Sequence, residues 1–155
     1  MPQQESSDAL IMLYVDTYAI QNYLNDPTNE GVIDCVFISS NWTDTLSPTE
    51  TSFTNPNGKT SFITDVNSRS QIAWVGAVKD IVSYPGHYVL IDGITFEQND
   101  IGINLNRQEN GSGYTHIDGN SYGGRSGTTT YTINFSVGLG QGSNDLYKGF
   151  QVDPS

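Results

Sequence analysis

The run Thr129-Thr130-Tyr131-Thr132-Ile133-Asn134-Phe135-Ser136-Val137-Gly138-Leu139 alternates apolar and polar side chains with a period of two. Tyr131, Ile133, Phe135 and Val137 fall on one side of an extended chain, and Thr132, Asn134 and Ser136 on the other. This is the pattern of a strand with one buried and one wet face, which suits an antiparallel sheet. Working outwards, β-prone runs recur at residues 9–16, 32–39, 61–66, 71–78, 87–96, 101–106 and 147–152, while the Gly-rich, polar stretch from Asn106 to Thr130 fits equally a long functional loop or two short strands around Thr115 to Ile117. Turn-forming clusters separate them: Ser47-Pro48, Asn55-Pro56-Asn57-Gly58, Tyr84-Pro85-Gly86, Asn110-Gly111-Ser112-Gly113 and the stretch from Gly138 to Asn144.

One break in this pattern follows the first strand. Asp16 and Thr17 offer capping oxygens to Ala19, Ile20, Tyr23 and Leu24, whose spacing fits two helical turns before Asn25-Asp26-Pro27 stops them. The expectation is an all-β chain, a two-layer antiparallel β-sandwich of about eight strands with one short helix after the first strand. With no helical crossovers, parallel pairing is not expected. No internal repeat suggests a propeller or solenoid. Residues 1–8 are polar and expected to be loose, leaving residues 9–155 as a single domain.

The chain has 155 residues, with 17 Asp plus Glu against 6 Lys plus Arg and a formal charge of -11. Such a surface repels phosphate backbones and anionic headgroups, so neither nucleic acid nor membrane is an expected partner. No run reaches the roughly 20 apolar residues of a membrane span, and the first residues lack a basic, apolar leader, which places the expected location in the cytoplasm. Cys35 is the only cysteine. It alternates with Ile33 and Phe37 in an apolar run and reads as a small core residue, as does Trp74 between Ile72 and Gly76.

Nothing in the chain carries a catalytic signature, and no enzyme is expected. His87 and His116 are the only histidines and neither has metal-ligand spacing. Gly138-Leu139-Gly140-Gln141-Gly142 superficially resembles a phosphate loop, but it joins two strands with no helix following, and so reads as a hairpin loop. Asp118-Gly119-Asn120-Ser121-Tyr122-Gly123 has the opening of a calcium loop, with Thr129 where the bidentate Glu belongs. Calcium could also be held by separate loop acids, Asp26, Glu30, Glu97, Asp100 and Asp118. Otherwise no cofactor is expected.

Sugars are held by aromatic faces with planar amides and carboxylates on their hydroxyls. Tyr114, His116, Asp118, Asn120, Tyr122 and Arg125 crowd one loop region in this way, and Trp42 beside Asn41 and Asp44 forms a second cluster. These are the candidate ligand-binding residues. The same residues also fit a half-buried loop anchor at Trp42 and a strand pair packed by tyrosines.

Three further stretches carry a resemblance. Leu13-Tyr14-Val15-Asp16-Thr17 with Ile20 and Asn22-Tyr23, Ile72-Ala73-Trp74-Val75-Gly76, and Tyr131-Thr132-Ile133-Asn134-Phe135 with Tyr147-Lys148-Gly149-Phe150-Gln151-Val152-Asp153-Pro154 resemble the opening strand, central Trp-x-Gly strand and closing hairpin of the AidA/PixA family of bacterial inclusion-body proteins. The resemblance implies a cytoplasmic β-sandwich without enzymatic activity, in some members accumulating as inclusions and linked to host association. Some members are methionine-rich, whereas this chain has only Met1 and Met12, which argues against a sulfur store. The expected function is therefore a self-associating, homo-oligomeric inclusion-body or host-interaction protein. The alternative is a carbohydrate-binding module, with glycans as partner and calcium assisting.

Overall fold

A computed structural model describes residues 9–40, 71–111, 114–120, 127, 129–140 and 146–153. The expected strand at 61–66 and the turns at Ser47-Pro48 and Asn55 to Gly58 lie outside these residues, as do residues 1–8. The described chain is all-β apart from two short 3-10 helices. Its strands are β1 (Ala9–Val15), β2 (Val36–Ser40), β3 (Gln71–Val78), β4 (Tyr88–Asn99), β5 (Asn104–Gly111), β6 (Tyr114–Asn120), β7 (Thr129–Gly138) and β8 (Leu146–Val152). The helices η1 (Ala19–Tyr23) and η2 (Glu30–Cys35) lie between β1 and β2.

Hydrogen bonding links the eight strands in the order β2-β1-β3-β6-β4-β7-β8, with β5 paired to β6. β5 runs antiparallel along β6 from Asn104↔Asn120 to Gly111↔Tyr114; the expected turn at Ser112-Gly113 lies outside the described residues. Gln71 to Val75 of β3 pair with the other side of β6. Beyond Val75 that side of β6 is vacant, and β4 enters it through the single pair Val89↔Tyr114. Two strand groups, β2-β1-β3-β6-β5 and β4-β7-β8, are thus joined at one bridge.

The two groups share one core. Ile11, Leu13, Val15, Ile38, Ile72 and Trp74 come from the first, and Val89, Ile91, Ile133, Phe135, Val137 and Phe150 from the second, all buried. The period-two pattern of β7 is realised as expected, with Ile133, Phe135 and Val137 inside. Trp74 is 1% exposed and meets Tyr131 edge-on, ring centroids 5.5 Å apart. Gly76 follows from close packing: a Cβ there would lie 2.8 Å from Cγ1 of Val89, so only glycine lets β3 approach β4 this closely.

Several expectations are corrected. Pairing is not wholly antiparallel: β1 and β3 run parallel over their full length, from Ala9↔Ile72 to Val15↔Val78, and the β4–β6 bridge is parallel too. A parallel crossover needs length, not a helix, and the chain between Val15 and Gln71 includes η1, η2 and β2. The expected strand at 32–39 begins only at Val36, because Asn29 caps η2. Its side-chain oxygen accepts from Gly31 N at 2.8 Å and its carbonyl from Val32 N at 3.1 Å, committing residues 30–35 to a 3-10 turn. Cys35 is buried all the same, at the end of η2 and not in a strand.

The expected helix is a five-residue 3-10 segment. Asp16 Oδ1 accepts from Tyr18 N and Ala19 N as anticipated, while Ile20 is fully buried beneath it. The strand expected at 101–106 starts instead at Asn104. Asn99 closes a turn before it, accepting from Ile103 N at 2.8 Å and donating to Ile103 O at 3.0 Å around Gly102, whose φ is 67°.

Candidate functional site

Four of the expected ligand residues share a strand. Tyr114, His116, Asp118 and Asn120 occupy alternate positions of β6 and therefore one face of it. By register, His116 stands opposite Val75 and Asp118 opposite Ala73, the half-buried positions of β3, whereas Ile117 stands opposite the core residue Trp74. Trp42, Asp44, Tyr122 and Arg125 lie outside the described residues. The loop acids proposed for calcium are placed differently from expectation: Glu97 is in β4, Asp118 in β6 and Glu30 in η2. Among the described residues no three His, Cys, Asp or Glu side chains gather as a metal would require.

The outer face of β4-β7-β8 is polar and internally satisfied. Thr132 donates to Glu97 at 2.7 Å, Asn134 donates to Thr95 Oγ1 at 3.0 Å and accepts from Gln151 at 3.0 Å, and Ser136 donates to Asp92. Ser136 is fully buried despite facing outwards, so this bond removes an otherwise costly unsatisfied hydroxyl. With their hydrogen bonds spent on one another, these side chains hold strand register and offer little to a ligand.

A different cluster arises where β1 and β3 end. Parallel pairing brings their C-terminal exits side by side, and Lys79 N donates to Val15 O at 2.9 Å just beyond the last pair. The chain leaving β1 carries Thr17 and Tyr18, and the turn leaving β3 carries Ile81, Val82 and Tyr84 before reaching His87. Tyr18 stacks on Tyr84 at 5.9 Å, and Tyr84 on His87 at 4.8 Å with 11° between the ring planes. Buried Thr17 anchors the far end of the row, its Oγ1 2.6 Å from His87 Nδ1. Lys79 places its ammonium 4.2 Å above the Phe37 ring of neighbouring β2. Sequence reading missed this row because its members are some 65 to 70 positions apart. The available signal was Ile81-Val82, an apolar pair set among turn residues.

Two buried ionisable groups have shifted acidities. Burial, then the charges of Asp16 and Asp34, push the Cys35 thiol from 9.0 up to about 11. Its Sγ lies 3.7 Å from the Gly31 carbonyl. Burial pushes the Tyr131 phenol from 10.0 up to about 12; Trp74 opposes this and Asp153 adds to it. The Trp74 indole N–H is near enough to favour the phenolate but makes no hydrogen bond of good geometry.

Both shifts favour the protonated form in the folded state. Their contribution is intact below about pH 9 and is lost as pH rises from there through about 11 and then about 12. The unfolding midpoint is therefore expected to fall progressively above pH 9 in a melting series. In Cys35→Ala the decline should begin one unit later; a midpoint unchanged between pH 9 and 11 in the parent chain would contradict these shifts. Cys35→Ala itself should cost about 1–2 kcal/mol through lost volume. The native thiol should resist iodoacetamide until the chain unfolds, and rapid labelling would show the burial to be wrong.

Comparison with known proteins bears on the fold. No family profile matches the sequence, and no curated protein does. Among solved structures, this fold is shared with an inclusion body protein, the PixA-type protein of Burkholderia cenocepacia J2315. That structure superposes over 97% of this chain and 94% of its own, with a TM-score of 0.66 and 12% sequence identity. The resemblance carried by the end strands and the central Trp-x-Gly strand agrees with this structural neighbour. No helix among the described residues is long and apolar enough to cross a membrane.

Proposed function

We propose that this chain is a non-enzymatic, self-associating protein of the inclusion-body and host-interaction kind, acting in the cytoplasm. The observation that carries the reading is the extent of the fold likeness: the superposition covers 97% of this chain and 94% of the inclusion body protein. The two strand groups face one another as the layers of a sandwich, a reading supported by their common core and by the close approach of Gly76 to Val89. Self-association is opposed by the charge of -11 and should strengthen as salt screens it or as pH falls towards the sequence pI of about 4.1. Light scattering at fixed concentration across salt and pH tests this. Growth in size along both axes supports it, and a monomer throughout refutes it.

The second reading, a carbohydrate-binding module, is favoured by the common face of Tyr114, His116, Asp118 and Asn120 on β6. Its test is a glycan array with and without calcium. A saturable signal lost in Tyr114→Ala would establish it.

A further inference from the structure

The chain holds two Asp-Gly pairs, Asp92-Gly93 and Asp118-Gly119, and the fold treats them differently. Asp118-Gly119 is held from both sides. Ala73 and Ile72 of β3 pair with it on one edge, Arg107 and Leu105 of β5 on the other, and the extra residue of that irregular stretch, Asn106, belongs to β5. Asp92-Gly93 sits instead at a β-bulge in β4. Ile91 pairs with Phe135 and Gly93 with Asn134, so Asp92 has no counterpart in β7, and β6 pairs with β4 only at Val89. Asp92 is exposed, and a Cβ built on Gly93 meets nothing within 4 Å. The Asp92 carboxyl accepts from the hydroxyl of Ser136, a residue with no exposed surface.

We propose that Asp92-Gly93 is a site of spontaneous covalent modification, at which aspartate converts to isoaspartate in the folded chain. The Gly93 amide nitrogen attacks Cγ of the Asp92 carboxylic acid; an N–Cγ bond forms, the Cγ–OH bond breaks, and the amide hydrogen departs with the hydroxyl as water. The cyclic imide then takes up water. Opening at Cγ restores aspartate, while opening at the α-carbonyl leaves Gly93 attached through the side-chain carbon, with the mass unchanged. Attack requires the backbone to turn its nitrogen towards its own side chain, which a ladder on each edge resists and a bulge already begins. Glycine adds no Cβ to hinder the approach. The lengthened main chain of the product likewise falls in an irregular stretch and not in a continuous ladder. Isomerisation moves the carboxylate off the branch that reaches Ser136. A buried hydroxyl left without its acceptor is costly, so each modified chain loses stability.

Incubation of the full chain for weeks in mildly acidic buffer, followed by tryptic digestion, tests this. Cleavage after Lys79, Arg107 and Arg125 puts the two Asp-Gly pairs in separate peptides, and electron-transfer fragmentation distinguishes isoaspartate from aspartate. Deamidation at Asn110-Gly111 changes the mass and is read separately. In the folded chain isoaspartate at residue 92 should exceed that at residue 118 at least ~10-fold, because freeing Asp118-Gly119 means opening ladder bonds on both edges. In urea the two sites should come level, since the dipeptide is the same. Gly93→Ala places its methyl in open space, so it should fold as the parent does and lose most of the isoaspartate at residue 92. Aged parent chains should melt below fresh ones, and aged Gly93→Ala chains should not. Equal isoaspartate at the two sites of the folded chain would overturn the proposal. So would accumulation at residue 92 in urea alone, which would mean that the Ser136 bond and the strand protect Asp92.

Discussion

Phe135→Ala is expected to lower the free energy of unfolding by about 3–5 kcal/mol, the range for removing a fully buried aromatic ring from a core. Phe135 has no exposed surface, sits opposite Ile91 of β4 on one side and Phe150 of β8 on the other, and stacks on the Phe150 ring at 5.4 Å. The cavity would open where three strands meet, and neither neighbour can collapse into it without breaking a ladder. For a domain whose whole stability is on the order of 5–15 kcal/mol, the loss is a large share. Urea denaturation monitored by circular dichroism measures it, and a change below about 1 kcal/mol would show that this core is not packed as described.

Gly140→Ala is the second large effect, about 2–5 kcal/mol of destabilisation. Gly140 has φ 68°, a left-handed conformation that costs an L-residue roughly 1–2 kcal/mol. An added Cβ would also lie 2.5 Å from the Gly86 carbonyl oxygen, backbone against backbone, and separating two hydrogen-bonded turns costs typically ~1–3 kcal/mol. The contact is asymmetric. A Cβ on Gly86 would meet only Gly140 Cα at 3.9 Å, so Gly86→Ala should be close to neutral. Gly140→Asn separates the two causes: asparagine tolerates the left-handed region but carries the same Cβ, so it should recover much of the roughly 1–2 kcal/mol of backbone strain and keep the steric part of the loss. Equal midpoints for Gly86→Ala and Gly140→Ala would remove the contact between these turns from the account.

What the sequence determined by itself was local. The alternation of Tyr131, Ile133, Phe135 and Val137 defined β7 and its inner face, and the apolar run through Trp74 defined β3 with its ends correct. Burial of Cys35 and the hairpin reading of Gly138 to Gly142 were legible for the same reason: side-chain period and turn chemistry are properties of neighbouring residues.

Tertiary structure alone decided what depends on partners distant in the chain. Whether β1 meets β3 parallel or antiparallel is not written in either strand, since each presents the same alternating faces in both cases; the choice is settled by where the intervening chain can return and which inner faces bury together. That choice set Tyr18 beside Tyr84 and created the aromatic row. Residues 30–35 illustrate the converse. Their apolar content suits a strand, but the Asn29 cap and the burial of Val32 and Cys35 from a 3-10 turn overrode it. Hydrophobic pattern says which side chains leave water, and only packing says what they meet when they do.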